Sequence, residues 1–219
     1  MPTIVTFIGW HDSGKTTLAT QVVNELKKLG YRVAVIKSSG DEGVVFDSPE
    51  TDTAKHRLAG ADSVMFVGPD QMVLQSGNKG LSLLTLAHRY FSDVDIVIGE
   101  GFKTARQVAK IEVLRQADKM LRDQVRGVIA VATDLDGIAG DPVFRLDESR
   151  EIALFIEKRY LLEKAAGRDR AALFVNGKRI PLKNFVQEVL SGVVLGFVGS
   201  LKCSDQVDEI ELRIRVLKD

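Results

Sequence analysis

The chain has 219 residues, 45% of them hydrophobic and 27% charged, which is enough apolar content to bury one α/β core with a small appendage and excludes a disordered chain. Thirty Lys and Arg balance thirty Asp and Glu, so the field of the whole protein offers no general attraction to nucleic acid or to an acidic membrane, and any polyanion must be bound locally. The single cysteine, Cys203, excludes an internal disulfide framework and a multi-cysteine zinc site and fits a reducing compartment.

Met1 to Ile8 carries no basic leader and no small-residue cleavage site, and the uncharged run Val189 to Leu201 falls short of the roughly 18 residues that a spanning helix needs. A soluble, cytoplasmic protein without a membrane partner is expected. Thr3 to Ile8 reads as a first strand. Thr17 to Leu29 follows as a helix with a stripe of Leu18, Val22, Leu26 and Leu29, and Gly30 stands where a glycine can end it. Arg32 to Ile36 reads as strand two and Asp52 to Ala59 as a short helix. Ser63 to Val67 and Met72 to Gln75 read as a hairpin turning at Gly68-Pro69-Asp70. Leu81 to Phe91 is helical by pattern, and Asp95 to Ile98, Ile111 to Leu114 and Val128 to Ala132 read as further buried strands before a long helix over Asp147 to Ala165. Short β-branched runs alternating with amphipathic stretches predict βαβ units, hence a P-loop NTPase-type, mostly parallel sheet flanked by helices, over residues 1–166.

Beyond Ala166 the pattern changes. Asn176-Gly177 between apolar runs signals a two-residue hairpin turn, and Glu209 to Val216 alternates like a half-buried strand. A small ββαβ extension over residues 171–219 is expected, an α+β unit too small to bury much core alone. From 166 onward nine Lys and Arg face seven Asp and Glu, too slight an excess for a nucleic-acid arm. Gly192, Gly196 and Gly199 fall on one helical face, where each glycine costs about 1 kcal/mol, so either a close-packed helix against the main domain or a second protomer, or a strand over Val193 to Val198 with a bulge at Gly196, is open.

Gly9-Trp10-His11-Asp12-Ser13-Gly14-Lys15-Thr16 matches G-x-x-x-x-G-K-[ST], directly after a predicted strand and directly before a predicted helix. Backbone N–H groups of such a loop converge on phosphate oxygens, helped by the helix N-terminus. Gly9, Asp12, Ser13, Gly14, Lys15, Thr16 and Thr17 are therefore the nucleotide-binding candidates, with Lys15 reaching the outer phosphates and Thr16 placing its hydroxyl on Mg²⁺. The metal needs an acidic partner at the carboxyl end of a neighbouring strand, where ligands collect in open α/β sheets. Glu100 fills that place better than Asp95, which stands at the start of its strand; the competing role for Glu100 is capping the following loop.

Asp52 is a second candidate metal and catalytic residue, holding metal-bound water or orienting the attacking one, with Thr53 beside it; the alternative is that Asp52 caps the helix carrying His56. His56 reads as a surface or capping residue, His11 as loop filler, and Trp10 as leaning on a nucleotide or packing. Asp134, after a buried strand, is a candidate guanine reader because a carboxylate can accept N1–H and the N2 amine together, although Ala132-Thr133-Asp134-Leu135-Asp136 is not the usual Asn-Lys-x-Asp and a plain turn is the alternative.

Three motifs together resemble the molybdopterin-guanine dinucleotide biosynthesis adapter family, MobB, over roughly residues 3 to 160. They are the run Gly9 to Leu18, then Asp52-Thr53-Ala54-Lys55-His56 with Ala59-Gly60-Ala61, then Gly99-Glu100-Gly101-Phe102-Lys103. The first is shared by many nucleotide-binding proteins, and the other two in this order are far more specific. The resemblance implies a GTP- and Mg²⁺-binding protein with slow intrinsic hydrolysis, a homodimer. It also implies assistance to the molybdopterin guanylyltransferase, with molybdopterin itself a further candidate ligand. The sequence departs from the family pattern after Lys37, where Ser38-Ser39-Gly40-Asp41-Glu42-Gly43 stands in place of a histidine-rich stretch, and in the 171–219 extension, absent from the shortest members.

Two other classes compete. A P-loop small-molecule kinase would use the same phosphate loop but wants an Arg-rich lid, for which Arg122 and Arg126 are the one close pair between the late strands. A GTP-driven metallochaperone wants a Cys or His cluster, which one cysteine and three histidines do not make.

Overall fold

A computed structural model of the chain describes every residue except 1, 139–141, 163–170, 177, 202–206, 208, 215 and 217–219. Strand β1 (Thr3–Ile8) runs through the glycine-rich loop into α1 (Lys15–Lys28) and returns as β2 (Val33–Lys37). Then come α2 (Asp52–Leu58), the hairpin of β3 (Ser63–Val67) and β4 (Met72–Ser76), α3 (Leu83–Tyr90), β5 (Ile96–Glu100), β6 (Ala109–Leu114) and a 3-10 turn (Ala117–Lys119). They are followed by β7 (Val128–Thr133), β8 (Val143–Phe144) and α4 (Ser149–Ile156), which continues as a π-helical segment (Glu157–Leu162). Strands β9 (Leu173–Val175) and β10 (Lys178–Ile180) and helix α5 (Asn184–Ser200) complete the elements. The chain divides into two compact units, residues 1–168 with 174–179, and residues 169–173 with 180–219.

The larger unit is built on one six-stranded sheet in the order β2-β5-β1-β6-β7-β8, every neighbouring pair parallel. The expected mostly parallel α/β fold is the one observed. Period-two alternation puts Val5 and Phe7 of β1, Ile96 and Ile98 of β5, Ile111 and Val113 of β6, and Ala130 and Ala132 of β7 on one face, where they meet Leu18, Ala19, Val22 and Leu26 of α1 and Ile152, Ala153 and Ile156 of α4. Leu29, expected in the same stripe, is exposed because the helix has already ended. Gly30, at φ +92°, closes α1 as a C′ glycine: its N–H donates to Lys27 O and that of Tyr31 donates to Leu26 O, the paired bonds of a Schellman cap.

On the opposite face of β6 the alternation continues with polar residues that hold loops instead of helices. Glu112, buried, accepts from the backbone N–H groups of Leu121 and Arg122. Lys110, also buried, donates to the carbonyls of Ala105 at 2.6 Å and Arg126 at 2.7 Å, and its burial pushes the ammonium pKa down. Both side chains supply hydrogen bonds to backbone groups of the loops beside them.

Several expectations are corrected. The helix expected from Asp147 to Ala165 is α-helical over Ser149–Ile156 and π-helical over Glu157–Leu162, where Tyr160 O accepts from Thr3 Oγ1; 163–165 lie outside the described residues. Apolar periodicity cannot register the one-residue insertion that turns an α-helix into a π-helix. β8 escaped notice because two residues carry no period. Val193 to Val198 lies inside helix α5, so the bulged strand is not formed, and a Cβ built on Gly192, Gly196 or Gly199 meets no described atom within 4 Å. Described residues 209–214 form no strand, since alternation alone does not supply a neighbour to pair with. Within residues 171–219 the described elements run β9, β10, α5, and residues 174–179 group with the larger unit; Gly177 and Cys203 lie outside the described residues. No described helix is long and apolar enough to cross a membrane.

Candidate phosphate-binding site

Parallel register aligns the carboxyl ends of three strands: Phe7 of β1 and Lys37 of β2 both stand opposite Glu100 of β5. The loop Gly9 to Gly14 leaves β1 at this edge. Gly9 is forced by space, because a Cβ there would lie 2.5 Å from Val113 O and 2.6 Å from Ser13 Oγ. Asp12 at φ +55° and Gly14 at φ +89° turn the chain left-handed before α1, and Gly14 occupies its N-cap. Lys15 folds back over the loop, donating to Trp10 O at 2.5 Å and to Ser13 Oγ at 3.4 Å. Burial lowers its pKa, opposed by the carboxylates of Glu100 and Asp12 and assisted by Lys37.

Thr16, in the first turn of α1, donates to Glu100 Oε1 across 2.6 Å. Glu100 is 7% exposed. Its carboxylate is turned toward Thr16 and Lys37, Nζ at 2.9 Å, so the side chain serves the helix N-terminus and not the loop after it. Asp95 lies before the amino end of β5 and binds Arg32, accepting from its N at 2.8 Å and from Nη2 at 3.2 Å. A threonine hydroxyl and one carboxylate oxygen side by side, next to a loop of backbone N–H groups, are the hard oxygen ligands that a Mg²⁺–phosphate needs; this ion usually takes one or two carboxylates and completes its shell with phosphate and water.

The second group of candidates is arranged differently. Asp52 opens α2 but does not cap it: Thr51 is the N-cap, its Oγ1 accepting from Ala54 N at 3.2 Å, while the Asp52 side chain is 90% exposed and pairs with Lys55 at 3.0 Å. Threonine one position earlier has the extended backbone that capping requires. Thr53 donates to Asp47 Oδ2 at 2.6 Å and Thr51 to Asp47 Oδ1 at 2.7 Å, bonds that hold the Asp47 carboxyl below its usual range. His56 is exposed, and His11, also exposed, pairs with Asp12 at 2.7 Å. Thr17 follows in the first turn of α1.

Asp134 lies just past β7, with Oδ2 held by Arg115 Nη1 at 3.2 Å and Oδ1 by Leu146 N at 3.2 Å. Arg115 also donates Nε to Ser13 O at 3.3 Å and so ties the Gly9–Gly14 loop to Asp134. Trp10 is pinned from two sides, donating Nε1 to Lys119 O at 2.8 Å with Lys103 Nζ 4.9 Å from its ring centroid. Sequence reasoning assigned no role to Lys37 or Arg115. Both stand at or just past the carboxyl end of a strand flanking the central pair, a position that strand order reveals and linear sequence does not.

A sequence model of the family described as Molybdopterin guanine dinucleotide synthesis protein B matches residues 4–134. The molybdopterin-guanine dinucleotide biosynthesis adapter protein of Escherichia coli K12 is 31% identical over 139 residues, 60% of this chain and 78% of that protein. A Methanocaldococcus jannaschii relative is 26% identical over 238 aligned residues, 98% of each chain. A crystal structure of molybdopterin-guanine biosynthesis protein B is 31% identical with a TM-score of 0.55, covering 71% of this chain and 98% of that one. A MobB homologue from Bacillus stearothermophilus, 23% identical with a TM-score of 0.54 over 71% and 95% of the two chains, shares the fold.

Proposed function

This chain belongs to the molybdopterin guanine dinucleotide synthesis protein B family, and on that premise we propose that it is an adapter protein of molybdenum cofactor biosynthesis that binds Mg²⁺–GTP. In this reading it assists the guanylyltransferase that converts molybdopterin to molybdopterin guanine dinucleotide and hydrolyses GTP slowly at most. The observation that carries it is the Thr16–Glu100 hydrogen bond of 2.6 Å beside a glycine-rich loop whose lysine lies over the loop's own Trp10 carbonyl and Ser13 hydroxyl. Phosphate oxygens are received by the loop N–H groups and Lys15, and Thr16 with Glu100 holds the metal. When bound, such an ion would supply positive charge to the phosphates. Asp52 is the candidate for orienting water. Asp134 reads the base once Arg115 and Leu146 N release its carboxylate.

A homodimer belongs to the same proposal. The β3–β4 hairpin forms a two-stranded sheet of its own, and Met65, Phe66, Val67, Met72, Val73 and Leu74 are exposed on its two faces. So much apolar surface on a lone hairpin favours a second copy as its cover. The chain works in the cytoplasm on this account, in keeping with its single cysteine. The deciding experiment is conversion of molybdopterin by the guanylyltransferase with and without this protein, with GTP as sole nucleotide. Stimulation in an amount that Lys15→Ala reduces supports the role, and identical rates in all three mixtures contradict it.

A further inference from the structure

The nucleotide reading leaves one charged side chain at the site without work. Lys37 ends β2, in register with Glu100 at the end of β5. Its Nζ lies 2.9 Å from Glu100 Oε1 and 3.4 Å from Thr16 Oγ1, and Thr16 donates to that same Oε1. The ammonium therefore rests on the two oxygens that the nucleotide reading gives to Mg²⁺. Lys37 is the cation in direct contact with this buried carboxylate.

A divalent ion and an ammonium cannot share those oxygens, because like charges a few ångströms apart repel. One of the groups must leave. Glu100 is fixed by a central strand and by burial, whereas the Lys37 side chain is 56% exposed on a flexible four-carbon stem. Its nearest new anion is the outermost phosphate, since the N-terminus of α1 and Lys15 place the phosphates beside Thr16. Lys15, which lies over the loop on Trp10 O and Ser13 Oγ, meets the phosphates from the loop side, whereas Lys37 stands on the side of Glu100.

We propose that Lys37 is a second phosphate-binding lysine, which exchanges Glu100 and Thr16 for the terminal phosphate of a nucleoside triphosphate when a divalent cation takes those oxygens. The proposal rests on the nucleotide reading and adds two opposed properties to it. Lys37 competes with a metal ion bound alone, and it favours triphosphate over diphosphate when metal and nucleotide bind together.

The test uses the full chain and the variants Lys37→Met and Lys37→Arg. Calorimetry with GTP and with GDP in Mg²⁺ gives the ratio of the two affinities, and electron paramagnetic resonance gives Mn²⁺ binding without nucleotide. Lys37→Met is expected to lower the GTP to GDP ratio by about tenfold, the size of one charge-assisted hydrogen bond, and to bind Mn²⁺ alone at least about threefold more tightly. Lys37→Arg, which keeps the charge, retains most of the ratio. A GTP to GDP ratio in Lys37→Met within about twofold of the wild type overturns the proposal, as does an equal loss in Lys37→Arg. Wild-type protein that binds neither nucleotide removes the nucleotide reading itself, a result visible before any variant is made.

Discussion

The Thr16 hydroxyl donates to Glu100 Oε1 across 2.6 Å, joining side chains 84 positions apart. One comes from the helix that follows β1 and the other from the end of β5, and the parallel pairing of those strands, Phe7 opposite Glu100, makes them neighbours. Glu100→Gln keeps the shape of this contact and removes the charge that a metal ion needs. If Glu100 acts through metal or water as proposed, nucleotide affinity is expected to stay within about tenfold while most of the slow hydrolysis is lost. Single-turnover phosphate release measures it; unaltered turnover would move the role to Asp52.

Gly9→Ala tests whether the loop geometry is set by space. The new methyl would fall 2.5 Å from the Val113 carbonyl oxygen, a backbone atom that cannot swing aside. A loss of stability of about 2 kcal/mol is expected from overpacking, together with loss of nucleotide binding, and chemical denaturation with calorimetry reads both. A variant as stable as the wild type that still binds nucleotide contradicts the geometry described.

Much of this was legible in the linear sequence, and the reasons are specific. Thr3 to Ile8 followed by Gly9-x-x-x-x-Gly14-Lys15-Thr16 and an apolar stripe defines strand, loop and helix without tertiary help, and Gly30 marks the helix end through a cap that only local bonds form. Glu100 could be preferred to Asp95 because the two lie at opposite ends of one strand. Lys37 and Arg115 could not be found in this way, since their meaning comes from strand order. Periodicity reports which residues are apolar, not which backbone groups find partners, so it hides the π-helical segment and suggests a strand over 209–216 that described residues 209–214 do not form.

Tyr31 offers a pH test away from the site. Its hydroxyl donates to Glu157 Oε1 at 2.9 Å, and burial followed by that bond pushes its pKa up to about 12 from 10.0. A raised folded-state pKa means that the folded protein holds the proton more tightly, so this contribution is whole below pH 10 and fades as pH rises toward 12. Tyr31→Phe should be less stable than the wild type near neutral pH by about 1 kcal/mol, and the gap should close through that alkaline window. Denaturant midpoints at several pH values check it; a constant gap contradicts the assignment.

Asp134 carries the expectation of base choice. With Oδ1 and Oδ2 already bonded to Leu146 N and Arg115, reading guanine requires Arg115 to let go. Asp134→Asn should therefore reduce the preference for GTP over ATP by about tenfold, one mismatched polar contact, with little change in ATP affinity. Competition binding measures the ratio, and an unchanged preference assigns base recognition elsewhere.

The central claim is that Gly9 to Thr16, with Glu100, forms a Mg²⁺–GTP site. Isothermal calorimetry of the full chain with GTP, with and without Mg²⁺, beside the Lys15→Ala variant, tests it most directly. Lys15 is half-buried and takes no part in the hydrophobic core, so it can be replaced without disturbing that core, and burial against the loop that phosphate would enter holds its pKa down. The account predicts Mg²⁺-dependent binding to the wild type and none to a folded Lys15→Ala variant. GTP affinity that is unchanged by the substitution contradicts it.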